Sequence, residues 1–227
     1  MIEDVKDILR LFDEIDTALT QRMNMYLIGG GAMMFNNNKS FTKDLDMIVR
    51  EKDEFLTLEG LLMDIGFTAN RPTKEYCRFN LSNILIRDDG YRIDLFHDKV
   101  CKKLHLSGRM ANRSVKRYEG DRLTVFSIVP SDIFVFKSIT DRAGDLTDCH
   151  SMIDEMKVDW NIVLEEIEGQ VEEGEDVWIT WFYDRIATLS EKFDLYIPIL
   201  DRISKMNDRF LERWEEEMIS KLPEDER

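Results

Sequence analysis

The chain has 227 residues, 43% of them hydrophobic, enough to bury a real core without staples, either as one large domain or as a core with a smaller appendage. A formal net charge of -15 argues against unselective binding to nucleic acid. Cys77, Cys101 and Cys149 show no CxxC, and His97, His105 and His150 lack paired zinc-site spacing, so the thiols are expected to be reduced and structural.

The opening residues, Met1 to Asp7, are acidic where a signal peptide is basic, and no apolar run approaches membrane-spanning length; a cytoplasmic protein without a membrane partner is expected. Ile2, Val5, Ile8, Leu9, Phe12, Ile15 and Leu19 recur at helical spacing and predict an amphipathic helix over 2–22. Met25 to Ile28 reads as a short buried strand running into Gly29-Gly30-Gly31, with helix resuming at Ala32 to Phe35 and a turn at Asn36 to Asn38. A strand is predicted at 44–49 and a helix at about 53–65, closed by Gly66. Strands near 76–87 and 91–96 are joined by Asp88-Asp89-Gly90, a hairpin signal that lays them antiparallel. A further strand is expected at Leu123 to Phe126, and Pro130-Ser131-Asp132 opens a helix with Ser131 as its N-cap. From 151 onward the pattern is helical, with a break around Gly169 to Gly174, a Trp-rich helix at about 176–193 and a last helix after Pro198. Trp178, Trp181, Phe182 and Ile186 read as core or partner-facing positions.

The charge is unevenly spread. Residues 151–227 hold 22 acidic and 9 basic residues, leaving residues 1–150 nearly balanced with 24 and 22. Between Lys99 and Arg122 the sign reverses, with Lys99, Lys102, Lys103, Arg109, Arg113, Lys116, Arg117 and Arg122 set against Glu119 and Asp121. A polyanion could be met there, although only Tyr118 offers an aromatic platform, and a solvated basic surface reads equally well.

Three aspartates carry the candidate chemistry. Asp44 and Asp46 in Thr42-Lys43-Asp44-Leu45-Asp46 project from one face of a strand, with Leu45 and Met47 on the other, and Asp94 lies in a second apolar run. Adjacent carboxylates repel, and they persist at neutral pH when a cation neutralises them or one takes up a proton. The glycine run between strand and helix lets backbone approach a phosphate closely. Lys137, among Ile133, Phe134, Phe136 and Ile139, needs a buried anion or an escape to water; an i,i+4 pair with Asp141 is the plainer alternative. Asp145 and Asp148, three apart on a helix, read equally as surface charges.

The segments Ile28 to Ala32 and Thr42 to Asp46, with the later Asp94, resemble the signature of the DNA polymerase beta nucleotidyltransferase superfamily. More closely, they are similar to small prokaryotic nucleotidyltransferase-like proteins that include abortive-infection type toxins. The shared features are a Gly-Gly-x-Ala turn, a Thr-Lys-Asp-h-Asp strand (h, an apolar residue), and a later helix with a lysine and a trailing Asp-x-x-Asp, here Pro130 to Lys137 followed by Arg142, Asp145 and Asp148. The match spans roughly residues 25–150. It departs from the family at Ser40, where an arginine is common; Lys39 stands beside it.

The resemblance implies an α/β fold, a mixed sheet with flanking helices, expected over residues 1–150, and the helical pattern and charge of the remainder add an acidic helical domain over 151–227. It implies Asp44, Asp46 and Asp94 as ligands of Mg²⁺, with Asp94 also helping to deprotonate an acceptor hydroxyl. Gly29 and Gly30 would cradle the β- and γ-phosphates of an NTP, Lys137 would meet the triphosphate, and Thr42, Lys43, Arg142 and Asp145 would complete the nucleotide site. The reaction implied is transfer of an NMP to a hydroxyl of a tRNA 3′ end, a protein side chain or a small molecule. The rival is a nucleotidyltransferase fold kept as a binding module of a toxin and antitoxin pair, its acidic C-terminal helices docking a basic partner protein.

Overall fold

The computed structural model describes residues 1–70, 83–100, 103–156, 158–174 and 176–221. The chain builds a mixed α/β fold around one seven-stranded sheet. In chain order it runs α1 (Val5–Ala18), β1 (Met23–Ile28), α2 (Gly29–Phe35), β2 (Leu45–Val49), α3 (Lys52–Asp64), β3 (Thr68–Ala69), β4 (Asn83–Ile86) and β5 (Arg92–His97). A small ribbon, β6 (Lys99–Val100) and β7 (Leu104–His105), precedes α4 (Gly108–Arg113), β8 (Val115–Glu119) and β9 (Leu123–Ser127). The rest is helical: α5 (Pro130–Ser138), α6 (Ala143–Ser151), a π-helical turn at Met152–Met156, α7 (Trp160–Glu172), α8 (Ile179–Phe193) and α9 (Leu200–Ser220).

Strand order is β3-β4-β5-β2-β1-β9-β8. The central β1 pairs antiparallel with β2 and parallel with β9, while β2 pairs parallel with β5, so the sheet is mixed through its middle. β1 and β2 are nearly continuous apolar runs, as strands covered on both faces must be, and β5 is buried from Ile93 to Phe96. The Asp88-Asp89-Gly90 turn joins β4 and β5 antiparallel as expected, with Gly90 at φ +94°. The part of the predicted 76–87 strand before Asn83 lies outside the described residues, as do Cys77 and Cys101. Cys149 is a buried free thiol, pushed up to about 12 by burial.

Several boundaries differ from the sequence expectation for local reasons. Helix α1 starts later than Ile2, because Asp4 caps it by accepting from the Lys6 N–H at 2.8 Å. Ile2 instead exchanges backbone hydrogen bonds with Thr42, each 2.9 Å. The helix ends at Ala18 rather than 22, freeing Met23 to begin β1. Val129, not Ser131, is the N-cap of α5: Pro130 takes the first helical position, and the Ser131 hydroxyl accepts from the Asp159 N–H at 2.9 Å. β8 was hidden from the periodicity by its charges, which suit an edge strand exposed to water.

Part of the basic stretch is spent within the fold. Arg113 bridges two fully buried carboxylates, Asp132 at 2.5 Å and Glu166 at 2.6 Å, and Arg109 reaches Glu166 and Glu173. Lys103 lies 3.1 Å from the Trp181 ring centre and donates to the Ile139 carbonyl. Arg109 and Arg113 join α4 to α5 and α7, and Lys103 ties the β6–β7 ribbon to α8 and the end of α5. Trp178, Phe182 and Ile186 are fully buried. Phe134 meets Trp160 and Phe182 edge-on, with ring centres 5.3 and 6.4 Å away, so one apolar cluster runs from the sheet into the C-terminal helices.

Candidate active site

β1 ends at Ile28, paired in register with Asp46 of β2, and Asp46 is in turn in register with Asp94 of β5. Register between neighbouring parallel strands puts both side chains on the same face of the sheet, about 5 Å apart. Asp44 sits one residue before β2 rather than inside it, yet lies on the same side: its carboxylate is 3.8 Å from Arg92 Nε and raises the pKa of Asp46. The sequence thus places three carboxylates at one edge of a strand pair.

The glycines are there for space. Gly29 has φ +59°, a conformation that side chains resist, and a Cβ on it would overlap the Asp46 carboxylate. A Cβ on Gly30 would overlap the Thr42 hydroxyl. The turn and the carboxylates are therefore in direct van der Waals contact. Thr42 is buried and donates to the Asp44 carbonyl at 2.8 Å, which fixes the approach of the acidic segment; Lys43 is exposed beside it.

Charge compensation within the carboxylate group is incomplete. Arg92 donates to both Asp94 oxygens at 2.9 Å, and Asp94 is nonetheless held above the usual carboxylate range by burial. Asp46 is lifted to about 8, first by burial and then by the charges of Asp44 and Asp94. Arg92 pairs with Asp94 and approaches Asp44, while Asp46 stays lifted even with Lys137 and Arg142 acting on it from further off. Arg92 was not foreseen, although its place two residues before Asp94 on a strand puts both side chains on one face.

A second cluster stands within electrostatic reach, since Lys137 and Arg142 both lower the Asp46 pKa. Lys137, 7% exposed on α5, does not pair with Asp141. Its ammonium meets Asp145 at 2.8 Å and Asp148 at 2.7 Å, so the anion it requires is a carboxylate pair from α6. Asp145 also accepts from Thr140 at 2.6 Å and from Arg142 Nε at 2.7 Å. Despite its burial, the Lys137 and Arg142 charges and these hydrogen bonds pull its carboxyl down to about 2. Asp148 additionally holds Lys39 at 2.9 Å. Asp145 and Asp148 are therefore internal partners of Lys137, not surface charges. The Lys39 link spans 109 residues of sequence and had no local signal.

The fit of a divalent cation can be judged from these donors. Among the described residues no group of three His, Cys, Asp or Glu side chains is arranged as a ready cage. The carboxylates still match a hard cation in kind: they supply oxygen only, and Asp46 bears the cost of missing positive charge. Asp44 and Asp46 would hold the ion, with Asp94 beside them and engaged by Arg92. Among the described residues no helix is long and apolar enough to cross a membrane.

No protein-family model matches the sequence, and no curated protein matches it. Among solved structures the chain is similar to ANT(2")-Ia, crystallised in complex with adenylyl-2"-tobramycin, at 10% identity and a TM-score of 0.47, covering 74% of this chain and 99% of that one. It is also similar to JHP933 from Helicobacter pylori, at 13% identity and a TM-score of 0.39, covering 94% of this chain and 99% of that one. Both scores are low, and the reading of the site rests on its own residues.

Proposed function

We propose that the chain is a metal-dependent nucleotidyltransferase of the DNA polymerase beta-like type, moving an NMP from an NTP to a hydroxyl acceptor. The observation that carries the proposal is the meeting of an undercompensated carboxylate group, Asp44, Asp46 and Asp94, with the Gly29 turn and the Lys137 cluster. A divalent cation, Mg²⁺ on the oxygen-only donor set, would supply the missing charge and polarise the phosphates when bound by Asp44 and Asp46.

The remaining work belongs to the chain's own side chains. Lys39 and Arg142, whose side chains are 29% and 60% exposed, present positive charge outward from the cluster and would take the triphosphate. Lys137, almost wholly buried and doubly paired, acts as a positioning residue: it holds Asp145 and Asp148, which hold Arg142 and Lys39. Lys39 thereby supplies a cation near the place where Ser40 departs from the family pattern. Gly29 and Gly30 let the backbone come close to the phosphates. Asp94 orients the acceptor hydroxyl and takes its proton as the acceptor oxygen bonds to the α-phosphorus and pyrophosphate departs. The family resemblance favours a tRNA 3′ end or a protein side chain as acceptor.

Calorimetric titration of each NTP with Mg²⁺ into wild type and into Asp44→Ala/Asp46→Ala tests the donor site. Binding that requires Mg²⁺ and vanishes in the double variant supports the proposal; a well-folded wild type that binds no NTP refutes it. Labelled NTP incubated with RNA and protein fractions then reads the acceptor, with Asp46→Ala as the blank.

A further inference from the structure

The last helix leaves the core halfway along its length. Ile203, Asn207 and Phe210 of α9 are buried, whereas every residue from Leu211 to Lys221 is exposed. The same helical face continues past that point through Leu211, Trp214 and Met218, which are 44%, 51% and 46% exposed. Steps of three and four residues keep these side chains in line with the buried set, so this is one apolar stripe whose first half is covered and whose second half is left open by the described residues. Where the face leaves the core, the buried Asn207 Oδ1 has no hydrogen-bond partner among the described residues.

The flanks of the stripe are acidic. Asp208 and Glu215 flank it on one side and Glu217 on the other, all exposed, while Lys205, Arg209 and Glu212 fall on the opposite side of the helix. Arg213, the cation between Phe210 and Ser220, is held by Asp176 at 2.6 Å. A second copy of this chain would bring the same carboxylates face to face, and an anionic membrane would repel them equally.

We propose that the outer half of α9 is a docking surface for a basic amphipathic helix of a partner protein. The partner's apolar side seats on Leu211, Trp214 and Met218, and its Lys or Arg side chains meet Asp208, Glu215 and Glu217. The surface is on a different element from the carboxylate site and stands whether or not nucleotide is transferred.

The test uses the full chain and a synthetic 18-residue amphipathic Leu/Lys helix, with a Ser/Lys peptide of equal charge as control, followed by fluorescence polarisation and tryptophan emission. Expected is saturable micromolar binding of the Leu/Lys peptide alone, weakened by salt and accompanied by a blue shift from Trp214. Leu211→Glu/Met218→Glu should lower the affinity at least tenfold; both positions are exposed, and circular dichroism confirms the fold. The added glutamates would tighten a purely electrostatic association, so unchanged or tighter binding overturns the proposal. It is equally overturned by equal binding of the Ser/Lys peptide, by absence of binding, or by a wild-type dimer in light scattering that the variant dissociates.

Discussion

Asp46→Asn should stabilise the metal-free protein while abolishing its nucleotide chemistry. The folded state holds the Asp46 carboxyl at about 8 against an ordinary value of 3.8, so between those limits it keeps a proton that the unfolded chain has released. Stability must then fall as pH rises across that window, because the folded state binds more protons. At about 1.4 kcal/mol per pH unit, the burden reaches ~4 kcal/mol near neutrality. Water and side-chain relaxation around a half-buried carboxylate reduce this to roughly 2 kcal/mol. Asparagine has the same shape beside Gly29 and carries no charge, so it escapes the burden. Thermal unfolding of both proteins should coincide near pH 4 and separate toward pH 8, with the variant melting roughly 4–8 °C higher at neutral pH for a chain of this size. Millimolar Mg²⁺ should raise the wild-type midpoint and leave the variant's unchanged. A variant destabilised by the same amount at every pH would refute the reasoning, since that would make Asp46 a net stabilising partner and not an undercompensated charge.

Asp145 should show the opposite slope. Its carboxyl is held at about 2, so its contribution is present above its ordinary value of 3.8 and disappears as pH falls toward 2. Asp145→Asn should therefore cost ~2 kcal/mol at pH 6 in urea unfolding, with the difference from wild type shrinking below pH 4. Gly29→Ala should lose more than ~1 kcal/mol in the same assay, from its positive φ and from the collision with Asp46, and should lose Mg²⁺-dependent nucleotide binding. Lys39→Ala and Arg142→Ala should each weaken NTP binding by roughly tenfold in calorimetry, with stability changed by no more than ~1 kcal/mol because both cations are partly solvated. Unchanged affinity in both variants would return the phosphate role to Lys137.

The parts of the site readable from the sequence were those with local cause. A glycine run after an apolar strand and two aspartates around Leu45 announce themselves within a few residues, and the sheet register brings them together. The hairpin at Asp88 to Gly90 was legible for the same reason. What stayed hidden depends on distance or competition. Arg92 stands two residues before Asp94 on β5, but its approach to Asp44 depends on the pairing of β5 with β2. The Lys39 to Asp148 contact joins a turn to a distant helix, and no periodicity encodes it. Ser131 had the right chemistry for a cap, but Pro130 had the fixed backbone angle suited to the first helical position. In the basic segment composition counts charges without showing their partners: Asp132 and Glu166, the acids that hold Arg113, lie outside it.

The Arg185 guanidinium on α8 donates to the carbonyl of Thr140, whose hydroxyl donates to Asp145. A helix far along the chain thus braces the loop that aims Arg142. Anyone transplanting the sheet and its acidic pocket into another scaffold would have to carry Ile179–Phe193 along. Without that strut the graft would keep its carboxylates and lose the aim of its cations.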